Sequence, residues 1–151
     1  MAAWLNITDA DLNDYLVAAQ MNALRTAALG RGQANPFTSI MQDRCNYVRN
    51  RISKRISISQ TAYAVPPELK TCTCMLIIEA MAGRLAVAVT LTEDQVRMVK
   101  RAYDDLDIAG TDEFPISTPD DPIAPAVQTG GGISVKRKRT GALTGEDMAG
   151  L

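Results

Sequence analysis

Four consecutive cations, Lys136-Arg137-Lys138-Arg139, stand near the end of a chain whose formal net charge is only −1. Residues of this type at this spacing can hold a phosphate backbone. Four cations would release about four counterions, giving a modest and steeply salt-dependent affinity. No aromatic side chain is interleaved to stack on bases, so readout of a single strand is not expected. The same stretch supports a second chemistry. In an extended chain Ile133, Val135, Arg137 and Arg139 share one face, and Ser134, Lys136 and Lys138 the other. Main-chain hydrogen bonds at an exposed sheet edge would supply affinity there, and the two apolar residues would set the register. Gly130-Gly131-Gly132, just before, would let the chain turn onto such an edge. Strand addition accounts for the glycines and the Ile-Ser-Val alternation as well as the cations. A solvated charge run or a phosphate contact accounts for the cations alone.

A second basic group, Arg44, Arg49, Arg51, Lys54 and Arg55, falls on the polar side of an amphipathic helix. Two acidic sets could meet it: Asp9, Asp11 and Asp14, and Asp104, Asp105 and Asp107. Complementary patches on identical chains favour head-to-tail contacts, which close into rings when the rotation permits. Three aspartates at the end of a helix oppose its dipole, which points to a cation supplied by a partner. The subunit-interface candidates are therefore Arg44, Arg49, Arg51, Arg55, Asp104, Asp105 and Asp107.

Catalytic chemistry is poorly supplied. Histidine is absent, which removes the commonest general base and metal ligand and any Ser-His-Asp or Cys-His centre. Cys45, Cys72 and Cys74 are odd in number and wrongly spaced for zinc. Cys72 and Cys74 would be turned roughly 200° apart on a helix. They read as small buried hydrophobes in a reducing compartment. There is no glycine-rich phosphate loop. Glu79 is the one acid inside an apolar helix, and an ion pair with Arg84 or with a cation of the basic helix is its expected fate. No catalytic, cofactor or metal site is assigned, and the chain reads as a non-enzyme.

Those groups must be positioned by a small all-α bundle of four to five helices over roughly residues 8–110. Thr8-Asp9-Ala10-Asp11 opens the first, with a capping threonine and acids in the first turn. The Ala- and Leu-rich stretch Val17 to Leu29 favours helix until Gly30. Asn35-Pro36 opens the next, with Phe37, Ile40, Met41, Cys45, Val48 and Ile52 as its apolar stripe. Ile56-Ser57-Ile58-Ser59 alternates but is too short for a strand. Pro66-Pro67-Glu68 begins a helix that is apolar nearly all round as far as Val89, the pattern of a central element. Thr92-Glu93-Asp94-Gln95 fits a capping box, and Gly110 is placed as the glycine that reverses the chain after the helix.

Beyond residue 110 the composition shifts. Pro115, Pro119, Pro122 and Pro125 lie among acids and lead to the triple glycine. Each residue before a proline is turned away from helix. The organisation expected is a helical domain over 1–110 and an extended Pro/Gly-rich arm with a basic docking tail over 111–151. Too few apolar side chains remain for this arm to fold alone, so it is expected to take its order from a partner. Charges of 17 and 16 nearly cancel, no apolar run reaches a membrane span, and no signal-peptide pattern opens the chain. A cytosolic protein is expected.

The order of these features resembles the small helical head-to-tail adaptor, or connector, proteins of tailed bacteriophages. The resemblance runs over roughly residues 5–125. It is carried by Ile7 to Leu12, the Asn-Pro helix with Arg49 and Ile52, Val65-Pro66-Pro67-Glu68-Leu69, the Thr-Glu-Asp helix with Val96-Arg97 and Tyr103, and the arm from Phe114-Pro115 to Pro122. It implies a virion structural protein assembled in the host cytoplasm and placed at the head–tail junction. There, a homo-oligomeric ring, commonly of twelve subunits, docks under the portal protein, presents a platform to the next tail or neck component and continues the channel for passing DNA. Portal docking would fall on Phe114, Pro115, Ile116, Ile133, Val135, Lys136, Arg137, Lys138 and Arg139. The connector family does not normally end in so basic a run. The alternative is a small helical DNA-binding protein using the Arg44–Arg55 face and the Lys136–Arg139 tail.

Overall fold

The computed structural model describes residues 2–30, 36–84, 89–111 and 113–123, apart from the side chains of residues 25 and 27–30. Among the described residues the fold is helical, with three isolated β-bridges and no strand. A 3-10 helix, Asp9–Asp14, is followed by α1, Ala18–Gly30. Then come α2, Phe37–Ile52, a 3-10 turn, Pro67–Leu69, α3, Lys70–Arg84, and α4, Glu93–Ala109.

The central helix is where the apolar pattern places it. Residues 72–78 of α3 are all buried, with Leu76, Ile77 and Ile78 fully so, and the helix packs on α2, α4 and both 3-10 segments. Fully burying one such aliphatic side chain stabilises by roughly 1.5–3 kcal/mol. Its one fully buried hydroxyl, Thr73, donates back to the Leu69 carbonyl at 2.8 Å. The stripe of α2 enters the same core through Ile40, Cys45, Val48 and Ile52. α4 adds Val99, Ala102, Leu106 and Ala109.

The capping box of α4 forms as expected: Gln95 N–H donates to Thr92 Oγ1 at 3.2 Å, and Thr92 N–H to Gln95 Oε1 at 2.9 Å. Gln95 is also buried. Its amide nitrogen donates to the Tyr15 carbonyl at 3.1 Å, and it faces the amide of Gln20, which ties α1 to the start of α4.

Several expectations are corrected. The first helix is a short 3-10 helix that stops at Asp14, and α1 starts at Ala18. Gly110 stays right-handed (φ −72°) and donates to the Leu106 carbonyl, so no reversal occurs there. The terminal carbonyls are satisfied otherwise, Ile108 by Thr111 N–H at 2.9 Å and Ala109 by Arg55 at 3.2 Å.

Of the expected arm, the structure describes the part up to Ile123. Residues 113–123 do not stand off from the body. Phe114 and Ile116 pack half-buried against the core and Pro119 is buried. Ala2 N–H donates to the Thr118 carbonyl at 3.0 Å, Gln60 N–H to Asp121 at 2.8 Å and Ile123 N–H to Ile58 at 2.8 Å. Few apolar side chains sufficed because polar groups of the body receive this segment. The composition boundary at 110 and 111 marks the end of a helix and not the end of packing.

Candidate interaction surfaces

The loop from Ile56 to Val65 is organised by a side chain expected to face solvent. Arg49 leaves α2 inward and is 7% exposed. Its guanidinium donates to three main-chain carbonyls: Ser59 at 2.8 Å, Thr61 at 3.0 Å and Ala64 at 2.7 Å. A planar fork suits acceptors fanned out in this way. Trp4 lies against it, with the ring centroid 6.0 Å from the guanidinium carbon. Burial lowers the Arg49 pKa, opposed by the nearby Cys45 and Asp121. The grip also holds Tyr63 at φ 62°, a left-handed conformation that costs a non-glycine residue about 1–2 kcal/mol.

Residues 113–123 close over this loop as a strap. The Asp121 carboxylate accepts from Ser59 Oγ at 2.6 Å and from Thr61 through both N–H (3.1 Å) and Oγ1 (2.9 Å). These bonds, that of Ser59 first, hold its pKa below the ordinary value. Ser117 donates its N–H (3.3 Å) and its hydroxyl to Glu68, and its carbonyl accepts from the Trp4 indole at 3.1 Å. Chain sequence carried little warning of this: Trp4 is the only tryptophan, Ser59 only ends the short alternation from Ile56, and Thr61, Glu68, Ser117 and Asp121 belong to no periodic pattern.

The charged end of α2 and α4 is largely neutralised within one chain. Arg51 bonds Asp107, both exposed, and Arg55 meets the Ala109 carbonyl. Arg101 lies 3.9 Å from Asp105. Asp107, for which a partner's cation was expected, is met in this chain by Arg51. Arg44 is half-buried and Asp104 exposed. Beside the Arg51–Asp107 pair a cavity of about 450 Å³ is lined by Tyr47, Asn50, Lys54, Gly110 and Thr111. A smaller one, about 290 Å³, lies between α3 and α4 over Cys72, Met75, Met98 and Ala102.

Glu79 does not pair with Arg84 or with the basic helix. It accepts from the Tyr103 hydroxyl at 2.7 Å, and burial followed by this carboxylate pushes Tyr103 up to about 12. All three cysteines are buried thiols. Burial pushes Cys45 up to about 11 and Cys72 and Cys74 up to about 12, leaving no thiolate to act as nucleophile near neutral pH. Among the described residues no group of three acidic, Cys or His side chains could hold a metal, and no helix is long and apolar enough to cross a membrane.

Of the docking residues expected in the C-terminal region, Phe114 and Ile116 are engaged by the chain's own core, and Pro115 is exposed. Ile133, Val135, Lys136, Arg137, Lys138 and Arg139 lie outside the described residues. No protein-family model matches the chain, and no curated protein and no solved structure matches it.

Proposed function

We propose that this chain is a non-enzymatic structural adaptor of a bacteriophage head–tail junction. Identical subunits associate in a ring, continue the DNA channel and dock on the portal protein through the C-terminal segment. The supporting observation is a division within the chain. Among the described residues, the body up to residue 123 has one buried apolar core and leaves no buried side-chain polar atom unpartnered, while residues 124–151 contain three consecutive glycines, four consecutive cations and no aromatic. A body of this kind can be a ring subunit, and a segment of this composition gains most from order lent by a partner. The order of elements resembling connectors supports the same reading.

Mixing the purified protein with a portal oligomer and viewing the product by negative-stain electron microscopy tests it. A ring with a central hole stacked on the portal is expected, and deletion of residues 124–151 should abolish the stacking while the body stays folded. Discrete monomers along added duplex DNA, with affinity falling steeply with salt, would replace this reading by the DNA-binding one.

A further inference from the structure

The strap and the N-terminal residues share one set of fastenings. Its hydrogen bonds run to Ala2 and Trp4, to residues 58–61 and to Glu68. Gln60, Thr61 and Glu68 are exposed, so most of these bonds lie at the surface. Of the strap's own side chains only Pro119 is buried, with Phe114, Ile116, Ser117 and Asp121 half-buried, and of residues 2–5 only Trp4 is buried. The core helix α3 has an unbroken buried run over residues 72–78. Segments with few buried apolar contacts and surface-exposed bonds open at a fraction of the free energy of global unfolding. Residues 2–5 follow the strap because they are held between it and Val65: Ala2 bridges Pro119 on one side, and Leu5 bridges Val65 on the other.

We propose that residues 113–123 and 2–5 form a clasp that opens as one unit while α2, α3 and α4 stay folded. Opening uncovers Trp4 and the Arg49 grip beneath it. It also frees a length of chain, about 36 Å if fully extended, for whatever lies C-terminal to Ile123. The clasp thus stores reach: closed, it fixes Ile123 beside Ile58; open, it lets the chain leave the body from farther back. The inference does not rest on the adaptor reading.

Native-state hydrogen exchange of the full chain, read by NMR, tests it. The Trp4 indole N–H and the amides of Gln60, Thr61 and Ile123 are expected to share one opening and to exchange at least about ten-fold faster than amides of residues 74–78. Asp121→Ala removes the acceptor of Ser59 and Thr61. It should speed all four groups together, including the Trp4 indole, which bonds Ser117 and not Asp121. Acrylamide quenching of Trp4, the chain's only tryptophan, should rise with it, and residues 74–78 should be unchanged. Three results overturn the proposal. Trp4 and Gln60 could exchange as slowly as the α3 core. Asp121→Ala could speed Gln60 and Thr61 but leave Trp4 as it was. Or Asp121→Ala could unfold the whole body, which would mean that the clasp has no separate opening.

Discussion

The helical half of the molecule keeps Val48, Ile52, Leu76, Ile77 and Leu106 out of water. The strapped half keeps out Arg49, Ser59 and the Ser59 and Ala64 carbonyls that Arg49 holds. One half is ordered by apolar area, which is non-directional and tolerant of detail. The other is ordered by polar groups that must each find a partner at a set distance, because an unmet buried group costs more than a met one gains. The two halves should therefore fail in different ways. Apolar truncation should dominate in the first and loss of a single donor in the second.

The largest effect is expected at Ile77, fully buried in α3. Ile77→Ala should destabilise by about 2–5 kcal/mol, through lost transfer energy and the cavity left behind. Ile116→Ala, in the strap and half-buried, should cost about 1 kcal/mol or less. Urea denaturation of both variants checks the pair, and equal costs would break the contrast between the halves.

Arg49→Met comes next. The methionine keeps much of the apolar stem but leaves the carbonyls of Ser59, Thr61 and Ala64 without their donor. A loss of about 2–3 kcal/mol is expected, since the Ser59 and Ala64 bonds are buried and water replaces them poorly. Arg49→Lys should recover less than half of this, because a compact ammonium cannot span three fanned acceptors. Acrylamide quenching of Trp4 should increase in both, which separates loss of the grip from general loss of the core.

This contrast also explains what was legible in the sequence. The stripe of α2, the all-round apolar character of α3 and the Thr92–Gln95 capping box are local signals with a fixed period or spacing, and all three appear as read. The polarity of Arg49 argued for solvent, but a helix stripe says only that a polar side chain is unusual inside, not that it lacks acceptors there. Those acceptors come from main-chain carbonyls 10 to 15 residues away, and carbonyls leave no trace in side-chain pattern. Asp121 reaches Ser59 across 62 residues, a separation that no window of sequence covers. Prolines at 115, 119 and 122 correctly argued against helix. They could not say whether the extended chain lies on its own body or stands away from it. Glu79 shows the same limit: an acid in an apolar helix signals a partner, and the phenol of Tyr103 served where a cation was expected.

An acid titration sharpens the comparison at the edge between the halves. Asp11 accepts from the Lys70 ammonium at 2.7 Å and from Thr8 through its N–H and hydroxyl, each at 2.7 Å. Lys70 first, then Thr8, lowers its pKa from 3.8 to about 2. The folded state therefore takes up this proton less readily than the unfolded chain. The stabilisation is complete above pH 3.8 and is lost as pH falls from there towards about 2. Asp121, also depressed, loses its contribution in the same direction. Lys70 is raised from 10.5, so its contribution is complete below that pH and fades only as pH rises through the higher folded value. Asp11→Asn should accordingly lower the urea midpoint by a constant amount near neutral pH, with the gap closing below pH 3.8. A gap undiminished at about pH 2 would mean that the carboxylate charge is not what anchors the 3-10 helix to α3.

The smallest effect is expected at Arg51 and Asp107, whose side chains are 49% and 64% exposed. Asp107→Asn should barely move the urea midpoint, and what little shift there is should vanish in about 0.5 M salt, because solvent screens such a pair. The informative measurement is complementation. If the pair works within one chain, chains carrying Arg51→Asp mixed with chains carrying Asp107→Arg should show no recovery of whatever each has lost in association, read by sedimentation. The double variant with both exchanges should recover it. If the two residues instead joined neighbouring subunits, an equal mixture of the single variants would restore oppositely charged contacts between chains. Recovery in the mixture would therefore move these charges from the chain's own packing to the seam of a ring.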